Sequence, residues 1–168
     1  MAYTVTSLQP GDLILVAGVH WTAGIGAGLL DWLIQVSTGS PVHHALIVGD
    51  GVLIQSLWTV SAAPLDTYAA DGWAFRVPTA TPAQRAAAVA WAHAHLGASY
   101  GVREIALDAA RYDLHWVPRR VAPLRHYTCS GLVALAYQQA GMPLTYAPWP
   151  SPGDLLDSPA LVGPRPRS

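Results

Sequence analysis

Residues 43–48 and 52–57 are two β-rich runs separated only by Gly49-Asp50-Gly51. A connection that short, built from residues that readily take positive φ, closes an antiparallel hairpin. Closure fixes a register, because a slip of one residue would send every inward side chain to the opposite face. The chain must therefore fold around a sheet that contains this pair. His43 and His44 open its first strand. Successive strand side chains alternate, so the two histidines are expected on opposite faces.

Other signals supply the elements around the hairpin. After Pro10-Gly11, residues 12–16 read as a buried strand, and residues 73–77 as another. Residues 23–36 carry Ile25, Leu29, Trp32, Leu33 and Val36 at helical spacing, and Ser37-Thr38-Gly39-Ser40-Pro41 closes that helix. Thr81-Pro82-Ala83-Gln84 is a capping box with proline at the first helical position, starting a helix that runs to Gly97. A further helical stretch covers residues 100–112, followed by a loop with Pro and Arg at 116–125. From Pro148 onward the chain is proline-rich and is expected to lie over the surface and fray after Val162. With no repeats and no linker, the expectation is one α+β domain over residues 1–168, a small antiparallel sheet packed by helices.

Composition excludes several classes. Of the 168 residues 52% are hydrophobic and 11% charged, which rules out a disordered chain. Lysine is absent, and all nine arginines lie between Arg76 and Arg167 without a dense basic run, so nucleic-acid binding has little support. The bias toward Ala, Gly, Pro and Arg points to a GC-rich bacterial or phage genome. The apolar stretch 13–30 is interrupted by His20 and several glycines and bounded by Asp12 and Asp31, so no transmembrane segment is expected. No basic n-region marks a secretory signal. The expected location is the cytoplasm, or the cell wall after delivery of a phage protein through a separate pore. Oligomeric state is not legible.

Cys129 is the only cysteine, which excludes an internal disulfide and a multi-thiolate zinc site. It opens a predicted helix that Thr128 can cap and that Gly141 and Pro143 end. A thiol there feels the positive end of the helix dipole and backbone N–H groups, both of which favour the thiolate. A lone cysteine on an arbitrary helix is more often a small buried hydrophobe. Here the cap, the small Ser130-Gly131 pair and a distant histidine strand favour a nucleophile. A thiolate needs a base, which His43 or His44 can supply, and a third group to orient the imidazole. Gln55 on the neighbouring strand qualifies, its amide carbonyl accepting the Nδ1 proton and leaving Nε2 for the sulfur.

These motifs resemble a known family. His43-His44-Ala45-Leu46-Ile47-Val48-Gly49-Asp50-Gly51 is similar to the histidine hairpin of the NlpC-type cysteine hydrolases, which have a papain-like fold. Tyr127-Thr128-Cys129-Ser130-Gly131-Leu132-Val133 is similar to their cysteine motif. Ordinary members carry the cysteine first; here the histidine strand precedes it, as in the circularly permuted branch of YiiX-like proteins and the lecithin retinol acyltransferase group. Pro10-Gly11-Asp12-Leu13-Ile14, Pro152-Gly153-Asp154-Leu155-Leu156 and Ser158-Pro159 extend the resemblance over most of the chain. The family spacing selects His43, six residues before Gly49 and twelve before Gln55, with the small Ala45 two residues on. Relatives often carry His or Glu where Gln55 stands, and an amide orients an imidazole without a full charge.

The resemblance implies a cysteine hydrolase with Cys129 as nucleophile, His43 as base and then acid, and Gln55 as orienter. The Cys129 backbone N–H and a second donor would hold the oxyanion. Expected substrates are peptidoglycan stem peptides or other small peptide-like amides, with no cofactor and no metal. Two other readings are acyl transfer or ester hydrolysis on a lipid, for which the helix at 23–36 would line a site, and a binding protein that keeps the fold without turnover. The remaining candidates carry less. His93 and His95 diverge on a helix and read as surface histidines, and His126 with Cys129 lacks a second ligand pair. The Gly24–Gly28 run lacks the third glycine of a dinucleotide fingerprint. Tyr100, Asp108 and Asp113 read as structural, and Trp21, Trp58 and Trp149 sit where they could line a groove.

Overall fold

A computed structural model describes residues 3–17, 40–100, 126–148 and 150–164. Its centre is a five-stranded antiparallel sheet of β1 (Leu13–Ala17), β2 (Val42–Val48), β3 (Val52–Ser56), β4 (Val60–Pro64) and β5 (Gly72–Phe75), in the order β4-β3-β2-β1-β5. The hairpin forms as its turn residues require. Gly51 takes φ of 79°, and the Gly49 N–H donates to the Val52 carbonyl at 2.8 Å. A second, two-stranded parallel ladder pairs β6 (Ser99–Tyr100) with β7 (His126–Tyr127). Three α-helices complete the described residues: α1 (Pro82–Ala94), α2 (Cys129–Gln139) and α3 (Pro152–Leu156).

Strand alternation divides the core into two layers. Leu13, Leu15, Ala45, Ile47 and Ile54 face a helical layer formed by Ala88, Val89 and Ala92 of α1, Leu132, Val133, Ala136 and Tyr137 of α2, and Leu155 and Leu156 of α3. Ile14, Val16, Leu46, Val48 and Leu53 face the other way, against Tyr3, Ala63, Leu65 and Tyr68. Every residue of β2 is therefore buried. Coverage of both faces explains why β1 and β2 read as continuous apolar runs instead of alternating ones.

The start of β1 is anchored by polar groups. Gly11 turns the chain with φ of 88°, and the buried Tyr137 hydroxyl donates to its carbonyl. The buried Asp12 carboxylate accepts the Gln9 N–H at 3.0 Å and two N–H groups of Arg76, each at 3.0 Å. The Pro10-Gly11-Asp12 motif thus joins the first strand to α2 and to the end of β5.

Several expectations need correction. The sheet has a further strand, β4, whose Val-Ser-Ala-Ala-Pro sequence carries little β signal. As an edge strand it pairs only with β3, which lets Pro64 stand at its end without costing a ladder bond. Helix α1 stops at Ala94, short of Gly97. The stretch expected to be helical from residue 100 begins instead with Tyr100 in β6, and the rest of it lies outside the described residues. So do the helix at 23–36, the 24–28 glycine run, the loop at 116–125, His20, Trp21, Asp108, Asp113 and Trp149. The C-terminal stretch is not merely a surface tail. Ser151 and Asp154 form a capping box for α3, which buries Pro152, Leu155 and Leu156, and Val162 exchanges two backbone hydrogen bonds with Arg76.

Burial pushes the Tyr137 hydroxyl up to about 12 from its ordinary 10.0, with Asp12 adding to the rise and Arg85 opposing it. A raised acid favours its neutral form, so this stabilisation is complete below the unfolded value and lost as pH rises through the folded one. Stability measured by urea unfolding should therefore fall between about pH 10 and 12, and Tyr137→Phe should fall less steeply over that range. Parallel pH profiles would show that Tyr137 does not link folding to proton binding.

Candidate active site

The site begins with a capped helix. Thr128 has extended backbone angles, and its Oγ1 accepts the Gly131 N–H at 3.0 Å. A Cβ on Gly131 would lie 2.7 Å from that oxygen, so only glycine leaves room for the cap. Cys129 follows as the first helical residue, 2% exposed, with no acidic side chain in the first turn to oppose a thiolate. Two hydrogen bonds fix the flanking chain. Ser56, fully buried at the end of β3, donates to the Tyr127 carbonyl at 2.6 Å, and Ser130 donates to the Pro150 carbonyl at 2.5 Å.

Helix α2 packs on the sheet face that presents Ala45 and Ile47 of β2. That strand brings both histidines with it, His43 at 2% and His44 at 5% exposure. Their pairing with β1 is irregular. Val16 lies opposite His44 and Ala17 opposite Val42, so His43 is the extra residue of a β-bulge. A bulge breaks strict alternation and re-aims a side chain, a device found at strand ends beside functional sites.

Gln55 corrects the expected third member. Its Oε1 lies 3.1 Å from His44 Nε2 and accepts the Tyr68 hydroxyl at 2.7 Å, so the amide serves His44 and not His43. The pleat is the reason. Gln55 stands opposite Leu46, whose side chain and that of His44 lie on the face away from α2. Counting twelve residues from His43 takes no account of that face. Oε1 can only accept, so in this contact the donor is His44 Nε2–H. The His44 ring also meets Tyr68 with centroids 5.7 Å apart. Tyr68 was missed from sequence, because it sits in the β4–β5 connection with no local signal of a role.

The other histidines differ from expectation in part. His93 is exposed, but His95 is half-buried: its Nδ1 donates to the Trp91 carbonyl at 2.7 Å. Its ring lies 3.9 Å from that of Trp91 and 5.1 Å from that of Tyr127. His126 lies in β7. Among the described residues no group of three His, Cys, Asp or Glu side chains gathers as a metal site. Nor is any helix among them long and apolar enough to cross a membrane.

The architecture is α+β, a five-stranded antiparallel sheet with helices on one face. The same fold occurs in the crystal structure of the metalloprotein YiiX from Escherichia coli O157:H7, a DUF1105 protein. The two superpose with a TM-score of 0.67 at 18% identity, over 95% of this chain and 97% of that one. In sequence the chain matches no family model and no curated protein. At that identity the likeness concerns the fold alone. The metal named for YiiX has no gathered donor set among the residues described here.

The buried His44–Gln55–Tyr68 network has a measurable worth. Gln55→Leu keeps the volume but removes the acceptor shared by two polar groups, and should cost about 2–3 kcal/mol in urea unfolding. Tyr68→Phe, which leaves the His44 bond in place, should cost only about 1 kcal/mol. Equal losses, or none, would mean that the amide is not the hub.

Proposed function

We propose that this protein is a cysteine hydrolase of the papain-like type in its permuted, NlpC-related arrangement, acting on small peptide-like amides such as peptidoglycan stem peptides. The observation that carries the reading is Cys129 at the capped start of α2, packed on the one strand that bears two buried histidines. The order of the motifs and the fold shared with YiiX support it.

In this reading Cys129 transfers its proton to His43, and the thiolate attacks the substrate carbonyl. The bulge at His43 supports that residue as the base, since His44 is engaged on the other face by Gln55. The carbonyl oxygen takes up negative charge facing the helix N-terminus, where the Cys129 N–H can stabilise it. His43 returns its proton to the leaving amine as the C–N bond breaks, leaving a thioester on Cys129. Water then gives a proton to His43 and its oxygen to the acyl carbon. The thiolate departs, and the carboxylic acid is released. His44, Gln55 and Tyr68 brace β2 from behind and take no proton in the cycle.

Alkylation of Cys129 by iodoacetamide between about pH 4 and 9 tests the pair. The wild type should react well below the ordinary thiol value of about 8.5, and His43→Ala should return the profile to that of a free thiol. His44→Ala should keep the low onset while lowering stability. Loss of the onset in His44→Ala alone would transfer the base to His44. An ordinary or unreactive thiol in every variant would overturn the enzyme reading.

A further inference from the structure

We infer that Leu57 and Trp58 form the wall of a substrate subsite that takes a flat apolar side chain next to the bond attacked by Cys129. The inference rests on the cysteine-hydrolase reading and deepens it. Three observations carry it.

The first is placement. Leu57 follows Ser56, whose hydroxyl holds the Tyr127 carbonyl at 2.6 Å, and Tyr127 lies two residues before Cys129. Two residues of extended chain span about 7 Å.

The second is that the turn is held. The Leu57 N–H donates to the Thr59 carbonyl at 3.2 Å. Thr59 bridges to Ser99, and Ser99 pairs with His126 in the ladder that leads into Cys129. Both sides of the turn are thus tied to the strand that positions the nucleophile.

The third is chemistry. Leu57 is 41% exposed and Trp58 67% exposed, on a turn fixed by backbone bonds. A single exposed apolar residue is ordinary, but two in succession at this place form a platform. Residues 52–65 contain no charged side chain. A charged substrate group would find no partner on that segment, whereas an aromatic or branched aliphatic group gains both burial and a ring contact.

The test compares 2-chloroacetamide with N-benzyl-2-chloroacetamide as alkylators of Cys129. In both the thiolate forms the thioether and expels chloride, so they differ only in the benzyl group. The wild type should prefer the benzyl reagent about tenfold, the worth of one favourable aromatic contact. Trp58→Ala and Leu57→Ser should bring the ratio toward unity and leave the 2-chloroacetamide rate within about twofold. Both residues are exposed, and circular dichroism checks that the variants stay folded. A wild-type ratio near one, or a preference that survives both substitutions, overturns the subsite while the reactive cysteine stands. A wild-type Cys129 that neither reagent labels overturns the hydrolase reading, and the subsite with it.

Discussion

Strand β2 is buried on both faces along its whole length, and it carries two consecutive histidines. An imidazole removed from water needs a hydrogen-bond partner, at a cost of a few kcal/mol if it lacks one. His44 is served on one side of the sheet by an amide that Tyr68 holds in turn. His43 stands at a bulge near the end of the strand, in the margin where the helix carrying Cys129 packs. Much of the surrounding architecture follows from keeping this strand covered.

Cys129 is fixed by residues that have no part in the chemistry proposed for it. Ser56 and Thr128 bond to backbone within two residues of Cys129, Gly131 makes room for the Thr128 cap, and Ser130 donates to the Pro150 carbonyl. They tie it to β3, to its own helix and to the segment before α3. Precision comes from short backbone bonds to secondary structure, which move less than side chains reaching from loops. Tyr137 extends the same scheme to the far end of α2, where its hydroxyl meets the turn before β1. The helix is thereby held to the sheet at both ends.

Local signals were legible wherever the physics is local. The Gly49-Asp50-Gly51 turn, the Thr81 capping box and the Thr128 cap each act through bonds within a few residues, and each stands where the sequence indicates. The Ser151–Asp154 box is equally local, but the prolines around it mask the short helix it starts. Strand β4 was not readable, since its small residues depend on β3 and on an edge position for their structure. Tyr68 gave no sign at all, because its partners arrive only when the sheet is formed.

What the sequence alone determined was the class of the fold, the hairpin with its two histidines, and a lone thiol at the start of a capped helix. These depend on turn chemistry, periodicity and capping, which act over a few residues. The tertiary structure decided which histidine Gln55 serves. The pleat, the register of β2 on β3 and the bulge against β1 together send Gln55 to His44, on the face where Tyr68 waits. That outcome depends on how three strands pair, which residue spacing along one chain does not specify.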